Sequence, residues 1–361
     1  MKLLWLDLNS SYAHSSLALP ALHAQIADDT TVEWCMVSAT INENTGNIVK
    51  QIYQHQPDII AATNWLFNHE QLLHIVSRSK ALLPQCCIIL GGPEFLGDNK
   101  DFLFKNKFVN GVFRGEGEEV FPIWLKVWNH PVNEWNQISG LCYLDESDQY
   151  QDNGIARVMN FSQLVSPEKS RFFNWSKPFV QLETTRGCFN TCAFCVSGGE
   201  KPVRTISLEA IRERLNVIHQ HGIKNVRVLD RTFNYNNKRA KELLHLFREY
   251  APDICFHLEI HPALLSEELK EELAILPNGL LHLEAGIQSL REPVLEKSRR
   301  IGKLSDALQG LKYLCSLKNM ETHADLIAGL PLYHLSEIFE DVRTLAEYGA
   351  GEIQLESLKL L

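Results

Sequence analysis

The chain has 361 residues, of which 45% are hydrophobic and 22% are charged, and its formal net charge is -9 at pH 7. This length and composition predict a globular protein with two domains, or one large domain with an insertion. The net acidity argues against holding nucleic acid by phosphate neutralisation. No apolar run approaches the roughly 18 residues that span a bilayer, and the first residues lack the features of a signal peptide. We therefore expect a cytoplasmic protein without a membrane or nucleic-acid partner.

Short apolar runs alternate with helix-length segments over the first 130 residues. Runs such as "KLLWLDL" and "CCIILGG" are continuously apolar, which indicates parallel strands covered by helices on both faces of a sheet. We predict an α/β, doubly wound, Rossmann-like domain over residues 1–130. Such sheets bind ligands outside the carboxyl ends of their strands. The loops expected at that edge are 9–16, 63–68, 91–97 and 114–118.

A second alternation of strands and helices fills the carboxyl-terminal half. Residues 131–178 are irregular and polar, and we interpret them as a connector that carries one or two strands. Residues 179–361 contain six strand and five helix candidates, which predict a partial (βα)6 barrel. The sixth strand is not followed by a helix that would cover its apolar side chains. We therefore expect the sequence to be truncated at its carboxyl end.

Three cysteines lie within eight residues, in the stretch "TTRGCFNTCAFCVSGGE". Cys188, Cys192 and Cys195 directly follow the first predicted barrel strand, where barrel enzymes keep their chemistry. Thiolates at this spacing can converge on one iron-sulfur cluster; zinc, with a fourth ligand from elsewhere in the chain, is the alternative. A four-iron cluster held by three thiolates leaves one iron open to a substrate or cofactor.

The Cys-x3-Cys-x2-Cys spacing, with Phe194 before the last cysteine, resembles the signature of the radical S-adenosylmethionine (SAM) enzymes. The resemblance implies a [4Fe-4S] cluster whose open iron binds SAM, and reductive cleavage of SAM to a 5'-deoxyadenosyl radical. The stretches "LEAGIQS" and "DLIAGLP" are similar to later strands of the subgroup that contains oxygen-independent coproporphyrinogen oxidase. By this likeness the SAM contacts would be Phe194 at the adenine, Glu259 at the amino group, Arg300 at the carboxylate, and Gln288 and Asp325 at the ribose hydroxyls.

The predicted SAM residues also have structural interpretations. Arg300 lies in "KSRRIGK", which is equally typical of a solvated basic helix end. Glu259 and Asp325 lie within apolar strands, where an unpaired carboxylate is costly, and this favours a functional role for both.

One departure from the family pattern follows the second barrel strand, where "LDRTFN" replaces the Gly-Gly-Glu that many members use near the amine. Asp230, Arg231 and Asn234 would then either replace that motif or face substrate. In "HLEIH", strand alternation would place His257 and His261 on the same face as the intervening glutamate. We interpret this face as polar barrel lining, with a metal site as the alternative.

The amino-terminal half resembles the cobalamin-binding domain that precedes the barrel in one branch of this superfamily. The likeness rests on "LGGPEF" and "RGEGEEVF", whose glycines let the backbone approach a bulky ligand. The Asp-x-His-x-x-Gly loop of many cobalamin proteins is absent; His14 alone could ligate cobalt from the equivalent loop, or it could contact a nucleotide tail or cap a helix. The implied cobalamin contacts are Asn9, Tyr12, His14, Gly91, Gly92 and Glu116. Trp65 and Phe67 could pack on a corrin ring, but core packing is the favoured interpretation.

These resemblances lead to the hypothesis of a cobalamin-dependent radical SAM enzyme that methylates an unactivated carbon. One alternative is radical chemistry without methyl transfer, giving rearrangement, cyclisation or sulfur insertion. The other is a non-catalytic zinc or iron-sulfur scaffold. The resemblance also implies an external electron donor such as flavodoxin or ferredoxin, and a small-molecule or peptide substrate that the sequence does not identify.

Overall fold

The computed structural model describes residues 1–197 and 200–359. It divides into two compact units, one covering Met1–Lys177 and the other beginning at Pro178. Within the described ranges, no helix combines the length and the apolarity that crossing a membrane requires.

The first unit is built on one seven-stranded sheet. Its strands are β1 (Lys2–Asn9), β2 (Glu33–Thr40), β3 (Ile59–Thr63), β4 (Cys87–Gly91), β5 (Gly111–Phe113), β6 (Leu141–Leu144) and β7 (Tyr150–Asp152). They are ordered β2-β1-β3-β4-β5-β6-β7; the first five are parallel, and β6 and β7 are antiparallel to their neighbours. The strand order reverses between β1 and β3, and this is where such sheets bind ligands.

Helices cover both faces of this sheet. They are α1 (Ala18–Ala24), α2 (Thr45–His55), α3 (His69–Leu82), α4 (Lys100–Lys105) and α5 (Val120–Trp124). Alternate residues of β4 enter two different cores: Ile88 packs in the core that contains residues of α2 and α3, and Ile89 packs in the core that contains Trp124 of α5. The continuous apolar strands are therefore buried on both sides, and the predicted doubly wound architecture is confirmed.

Residues 131–177, which the sequence suggested as a connector, belong to the first unit. β6 pairs antiparallel with β5, and the loop after β5 is tied to the following segment by hydrogen bonds from Arg114 N to Gly140 O and from Ala156 N to Arg114 O. The segment extends the sheet because it supplies hydrogen-bond partners to β5. Its polar, turn-rich sequence concealed this pairing.

The second unit contains eight described strands, six of them in an open parallel sheet and two in a separate pair. Its strands are β8 (Val180–Leu182), β9 (Thr185–Arg186), β10 (Arg204–Thr205), β11 (Asn225–Val228), β12 (Cys255–Ile260), β13 (Leu281–Gln288), β14 (Glu321–Ala328) and β15 (Glu352–Ser357). The main sheet is ordered β15-β14-β13-β12-β11-β8, and β9 and β10 form a separate antiparallel pair. Because each new strand joins the previous one in chain order, the arrangement agrees with the predicted partial (βα)6 barrel.

Six α-helices of the described chain accompany these strands, one more than the five helix candidates of the sequence. They are α6 (Leu208–Gln220), α7 (Asn237–Arg248), α8 (Glu267–Ala274), α9 (Glu292–Lys297), α10 (Leu304–Ser316) and α11 (Leu335–Glu347). The short α9 was not predicted. Ser207, Asn236 and Ser266 cap α6, α7 and α8 by accepting a backbone hydrogen bond. Each cap satisfies an amide that the first helical turn leaves without a partner.

The barrel strands separate apolar from polar side chains. In β13, Leu281, Leu283, Ala285 and Ile287 are buried, whereas the alternate residues His282, Glu284, Gly286 and Gln288 are partly exposed. β12 shows the same alternation, with His257 and Glu259 partly exposed. We call the side of the sheet that carries these partly exposed residues the polar face. Its side chains form much of the site described below.

Candidate functional site

Backbone hydrogen bonds close the base of the cysteine loop. β9 and β10 pair antiparallel, and the Cys188 amide donates a hydrogen bond to the Glu200 carbonyl over 2.9 Å. Gly187 has a φ of +93°, and a Cβ at this position would lie 2.5 Å from the Glu200 carbonyl oxygen. Only glycine fits this close approach. Gly198 and Gly199, in the same loop, lie outside the described residues.

A buried aspartate anchors the segment that leads into the loop. Asp230 accepts hydrogen bonds from the backbone amides of Thr184 and Thr185, at 2.8 and 2.9 Å, and from the Thr184 hydroxyl. Asn234 exchanges two hydrogen bonds with the backbone of His261. Asp230 and Asn234 are each 1% exposed, so the expectation that they bind the amine or face substrate is wrong. Arg231 is exposed.

The structure brings the three loop cysteines together. Cys188 and Cys192 are buried and Cys195 is exposed, and within the described chain none of them forms a disulfide. Burial raises the pKa of the Cys192 thiol; the Arg300 guanidinium opposes this shift, and the two other thiols reinforce it. The thiols therefore act on one another electrostatically, as ligands of a single group would.

The same loop is fastened to the segment that follows α9. The Ala193 amide donates to the Ser298 carbonyl over 2.9 Å, and the buried Asn190 side chain accepts from the Ile301 amide over 3.2 Å. These bonds hold the middle of the loop against residues 298–301. They also place Arg300 beside the cysteines.

Arg300 connects the loop to β13. Its Nη1 lies 4.0 Å from the sulfur of Cys192, and its Nη2 donates to the carbonyl of Gly286. A Cβ on Gly286 would lie 3.4 Å from this Nη2 and 2.6 Å from Nε2 of Gln288. The alternative interpretation of this segment as a solvated basic helix end applies to the preceding Arg299, which is exposed. Arg300 instead faces the site.

Gln288 reaches Gly286 because of an irregularity in the sheet. The register between β13 and β14 shifts between Gly286 and Gln288, and Gln288 has a φ of +72°. Bulges and left-handed non-glycine residues cost energy and cluster at functional sites. The bulge turns the Gln288 amide toward Gly286, beside the Arg300 guanidinium.

Phe194 is partly buried and packs against a small apolar cluster. The cluster consists of Val294, Leu330, Tyr333 and Ile338. The aromatic residue of the cysteine motif therefore rests on apolar side chains of the later barrel elements. Its predicted place beside the adenine stays a prediction.

The two predicted carboxylates lie on β12 and β14, which flank β13; Glu259 is on the polar face and Asp325 is buried. Burial, followed by the negative charge of Glu284, raises the pKa of Glu259 to about 7, against the pull of Arg231. Among the described residues, the Glu259 carboxylate has no hydrogen-bond partner. Asp325 is 8% exposed, and burial raises its pKa to about 6 although His323 lowers it. The negative charge of Glu284 raises the pKa of both groups, and among the described residues neither forms an ion pair with an arginine or a lysine.

Of the two histidines predicted to share a strand face with Glu259, only His257 lies on the polar face. His257 Nε2 lies 2.8 Å from Glu284 Oε2, whereas His261 follows the end of β12 and its Nε2 contacts the Ile301 carbonyl at 3.0 Å. Burial, followed by the Arg300 charge, lowers the pKa of His261 to about 4. His261 therefore belongs to the support of the loop.

Sequence reasoning missed three residues of this cluster: His282, Glu284 and His323. His282 Nε2 lies 2.9 Å from His323 Nδ1, and His323 Nε2 lies 3.6 Å from Glu284 Oε2. Two signals could have found them. "LHLEA" and "THADL" place polar residues at alternate positions of two consecutive strands, as "HLEIH" does on the preceding one.

In the first unit, three predicted residues lie at the carboxyl edge of the sheet. Asn9 ends β1, and its amide donates to the Asp7 carboxylate over 2.7 Å. Gly91 ends β4, and an added Cβ there would meet no atom closer than 3.8 Å. Gly92 has a φ of +114°, and a Cβ would lie 2.4 Å from the Asn64 carbonyl oxygen. Of the two glycines, only Gly92 is required by the backbone.

Tyr12 and His14 lie in the loop after β1. Tyr12 is 82% exposed; its ring lies 4.3 Å from the Lys177 ammonium, which also donates to its carbonyl. His14 is exposed, and its Nδ1 lies 2.8 Å from Ser11 Oγ. The roles of both residues toward cobalamin stay predictions.

The Glu116 carboxylate already holds the backbone of its own unit. Its Oε2 accepts a hydrogen bond from the Val158 amide over 2.7 Å, and its amide donates to the Ala156 carbonyl over 3.0 Å. Glu116 thus fastens the segment after β7 beside the loop after β5. A cobalamin contact from this residue stays a prediction.

The favoured core packing of Trp65 and Phe67 is wrong. They are 36% and 45% exposed, and their rings stack at 6.2 Å with an interplanar angle of 13°. β3 ends before them, and the buried Asn68 side chain binds the Leu8 carbonyl and the Trp65 amide, which fixes the loop. The two rings therefore form an exposed aromatic surface at the ligand-binding edge.

Two protein-family models match the chain, one in each half. The family model described as "Radical SAM superfamily" matches residues 182–345. The model described as "B12 binding domain" matches residues 7–125. The first match contains the cysteine loop and Arg300, and the second contains the exposed aromatic surface and Gly92.

Relatives of known name are similar over most of this chain. An uncharacterized methyltransferase, PH0819, of Pyrococcus horikoshii is 25% identical and covers 79% of this chain and 63% of its own length. The cytidylyl-2-hydroxyethylphosphonate methyltransferase of Streptomyces wedmorensis is 22% identical and covers 79% and 60%. The chain thus spans about three-fifths of the length of these relatives.

A solved structure has the same fold. The radical S-adenosylmethionine methyltransferase TsrM from Kitasatospora setae, with cobalamin and a [4Fe-4S] cluster bound, matches with a TM-score of 0.73 at 16% identity. The match covers 99% of this chain and 72% of that one.

Proposed function

The chain belongs to the radical SAM enzymes that carry an amino-terminal cobalamin-binding domain, and we propose that it cleaves SAM reductively to methylate an unactivated carbon. When bound, a [4Fe-4S] cluster supplies the electron that splits SAM to a 5'-deoxyadenosyl radical, and cobalamin supplies the methyl group. The contact of Arg300 with both Cys192 and Gly286 carries this proposal, because it joins the cysteine motif to the "LEAGIQS" motif.

The loop cysteines fit a cluster with one open iron. They provide three thiol ligands from one loop, and two of the three sulfurs are buried. The Arg300 guanidinium beside Cys192 favours its thiolate form, which is the form that ligates iron. Gly187 and the bonds to Ser298 hold the loop without help from a metal.

The polar groups around Arg300 fit the charged and polar parts of SAM. Arg300 would hold the methionine carboxylate, and Glu259, which lacks a hydrogen-bond partner among the described residues, would take the ammonium. Gln288 and Asp325 would accept the ribose hydroxyls. Phe194 would lie at the adenine, on the apolar side of the site. A ligand ammonium would favour the ionised form of Glu259, whose pKa is raised in the free protein.

The carboxyl edge of the first sheet fits a large, flat, partly apolar ligand such as cobalamin. Tyr12, Trp65 and Phe67 present exposed rings there, and Gly92 leaves no space for a side chain next to Asn64. Asn9, Gly91 and Glu116 lie at the same edge. His14 is the residue of this loop that could supply an axial nitrogen.

Reductive cleavage needs an electron from outside the chain. We therefore include an external donor of the flavodoxin or ferredoxin type in the proposal, and a small-molecule or peptide substrate whose identity stays open. Cleavage can still be measured without that substrate, because radical SAM chemistry releases 5'-deoxyadenosine when uncoupled turnover occurs.

The test is anaerobic reconstitution with iron and sulfide, followed by incubation with dithionite and SAM. We expect release of 5'-deoxyadenosine or S-adenosylhomocysteine, loss of that release in Cys192→Ala, and its retention in Cys255→Ala. Absence of both products from a chain with four irons and sulfides would sink the radical proposal. One equivalent of zinc, without iron-sulfur absorbance, would favour the scaffold alternative.

A second measurement concerns cobalamin alone. The chain is mixed with hydroxocobalamin and passed through a gel-filtration column, and corrin absorbance is followed in the protein peak. We expect one equivalent to co-elute. Corrin-free protein that still cleaves SAM would remove methyl transfer from the proposal and leave radical chemistry of another kind.

A further inference from the structure

A cluster of imidazoles and carboxylates lies on three consecutive barrel strands. His257 belongs to β12, Glu284 to β13 and His323 to β14, and one ligand atom from each lies within 4.8 Å of the other two. Two imidazoles and one carboxylate are a donor set that zinc and other first-row divalent metals use in proteins. The cluster shares no residue with the cysteine loop or with the predicted SAM contacts.

The nitrogen of His323 that points into this cluster has no hydrogen bond. His323 is 5% exposed, and its buried Nε2 lies within ion-pair distance of the Asp325 and Glu284 carboxylates but has no hydrogen bond among the described residues. Oδ1 of Asp325 is also buried without a hydrogen bond, and it lies 3.3 Å from that nitrogen. Buried polar atoms without partners are costly, and an unoccupied ligand position is one physical reason for them.

The outer contacts of His323 select the tautomer that ligates metal. Its Nδ1 lies 2.9 Å from His282 Nε2, and His282 Nδ1 lies 3.6 Å from the Glu321 carboxylate. If each imidazole donates outward, His323 presents a lone pair at Nε2 toward Glu284 Oε2, 3.6 Å away. Two acceptors that face each other need either a proton or a metal cation between them. Supporting imidazole and carboxylate contacts of this kind orient metal-bound histidines.

A cavity adjoins the cluster at His323. His282 and His323 line a cavity of about 320 Å³ at the amino-terminal ends of β13, β14 and β15. Glu321 and Glu352 line the same cavity and are exposed. Their carboxylates would attract a cation to its entrance.

We propose that His257 Nε2, Glu284 Oε2 and His323 Nε2 form a binding site for one divalent transition-metal ion, separate from the cysteine loop. Tetrahedral bonds of about 2.1 Å place ligand atoms about 3.4 Å apart, so the 2.8 and 3.6 Å separations need only small side-chain shifts. Three protein ligands leave one position for water or a substrate donor. Oδ1 of Asp325, which is proposed above to accept from a SAM ribose hydroxyl, lies 3.3 Å from His323 Nε2, so the metal site would border the SAM site.

The experiment uses zinc as the probe on the full chain with Cys188, Cys192 and Cys195 replaced by alanine, so that no loop thiolate competes. Zinc content after dialysis and zinc titration by calorimetry are the readouts. We expect one equivalent of zinc, at least about 100-fold weaker binding in Glu284→Gln and His323→Gln, and about tenfold weaker binding in the positioning variant His282→Ala. The control His219→Gln removes an exposed histidine that lies 3.0 Å from Asp253, and its zinc binding stays unchanged.

A second arm protects the test against misfolding of the cysteine-free chain. The intact chain is loaded with iron and sulfide, and zinc and iron are counted in the same sample. Wild type should hold one zinc beside its iron, and Glu284→Gln should lose the zinc and keep the iron. A chain that binds no zinc in either arm, or whose zinc survives Glu284→Gln, overturns the site and shows that a proton joins these groups. Neither result depends on whether SAM is cleaved.

Discussion

Nη1 of Arg300 lies 4.0 Å from the sulfur of Cys192, although 108 residues separate them in the chain. The adjacent Arg299 is exposed, which makes it a matched control within the same basic segment. A guanidinium that is mostly withdrawn from water binds a carboxylate strongly.

We expect Arg300→Gln to weaken SAM binding by at least about tenfold, because the variant lacks the cation for the methionine carboxylate. Arg299→Gln should change binding less than about twofold. Equilibrium dialysis with the reconstituted protein measures both, and iron content shows whether the cluster persists. Equal affinity in the two variants would contradict the assigned role of Arg300.

Glu259 gives the stability of the free protein a pH dependence. Its folded pKa of about 7 lies above the usual 4.5, so the fold favours the protonated carboxyl. The stabilisation is complete below pH 4.5 and is lost as the pH rises through 7. Relative to Glu259→Gln, the wild type should therefore lose about 1 to 3 kcal/mol of unfolding free energy between pH 4.5 and 8.

Urea unfolding of both proteins at several pH values measures this difference. Glu268→Gln, at an exposed position of α8, is the control and should show a pH profile parallel to that of the wild type. A constant difference between Glu259→Gln and the wild type across the range would show that Glu259 has the same pKa in the folded and the unfolded protein. Added SAM should shrink the difference if Glu259 binds its ammonium.

Asp230→Asn tests the anchor of the cysteine loop. The variant keeps a carbonyl oxygen for the backbone amides of Thr184 and Thr185, but it loses the carboxylate and the acceptor for the Thr184 hydroxyl, so we expect the unfolding free energy to fall by about 1 to 3 kcal/mol. Asp253→Asn, on the surface beside His219 and Lys224, should cost less than about 1 kcal/mol. Urea unfolding measures the unfolding free energy of each variant. Two variants of equal stability would show that Asp230 does not anchor the segment.

The exposed aromatic surface provides a test on the first unit. The double variant Trp65→Ala and Phe67→Ala should bind hydroxocobalamin about tenfold more weakly, because stacked rings provide apolar contact area. Tyr53→Ala, exposed on α2, is the control and should bind normally. Both variants should keep the wild-type melting temperature, since the mutated rings are largely outside the core. Unchanged cobalamin binding in the double variant would place the corrin elsewhere.

The periodicity of the sequence predicted both architectures because that information is local. Strands such as β4 are apolar at every position and β13 alternates, and each pattern reflects which faces are covered by helices. The cysteine spacing is likewise local, and it predicted three candidate ligands within eight residues. The one or two strands expected in residues 131–178 correspond to β6 and β7, but their place in the sheet was not predicted, because it depends on the pairing of β6 with β5.

Features that depend on contacts between distant segments escaped prediction. Nothing in "KSRRIGK" distinguishes Arg299 from Arg300, since their exposure depends on the bonds that residues 298–301 make with the cysteine loop. The anchoring role of Asp230 likewise requires the neighbouring strand. The histidine cluster requires the register of β12, β13 and β14, which places Glu259 beside Glu284 and Glu284 beside His323.

The cysteine loop is secured by contacts that contain no metal: the Glu200 carbonyl at its base, the Ser298 carbonyl at its middle, and Asp230 beneath the segment that leads into it. If these contacts form before iron is delivered, loss of the inorganic group to oxygen would leave a folded receptor that can be refilled. Biogenesis and repair of the site would then follow the same route.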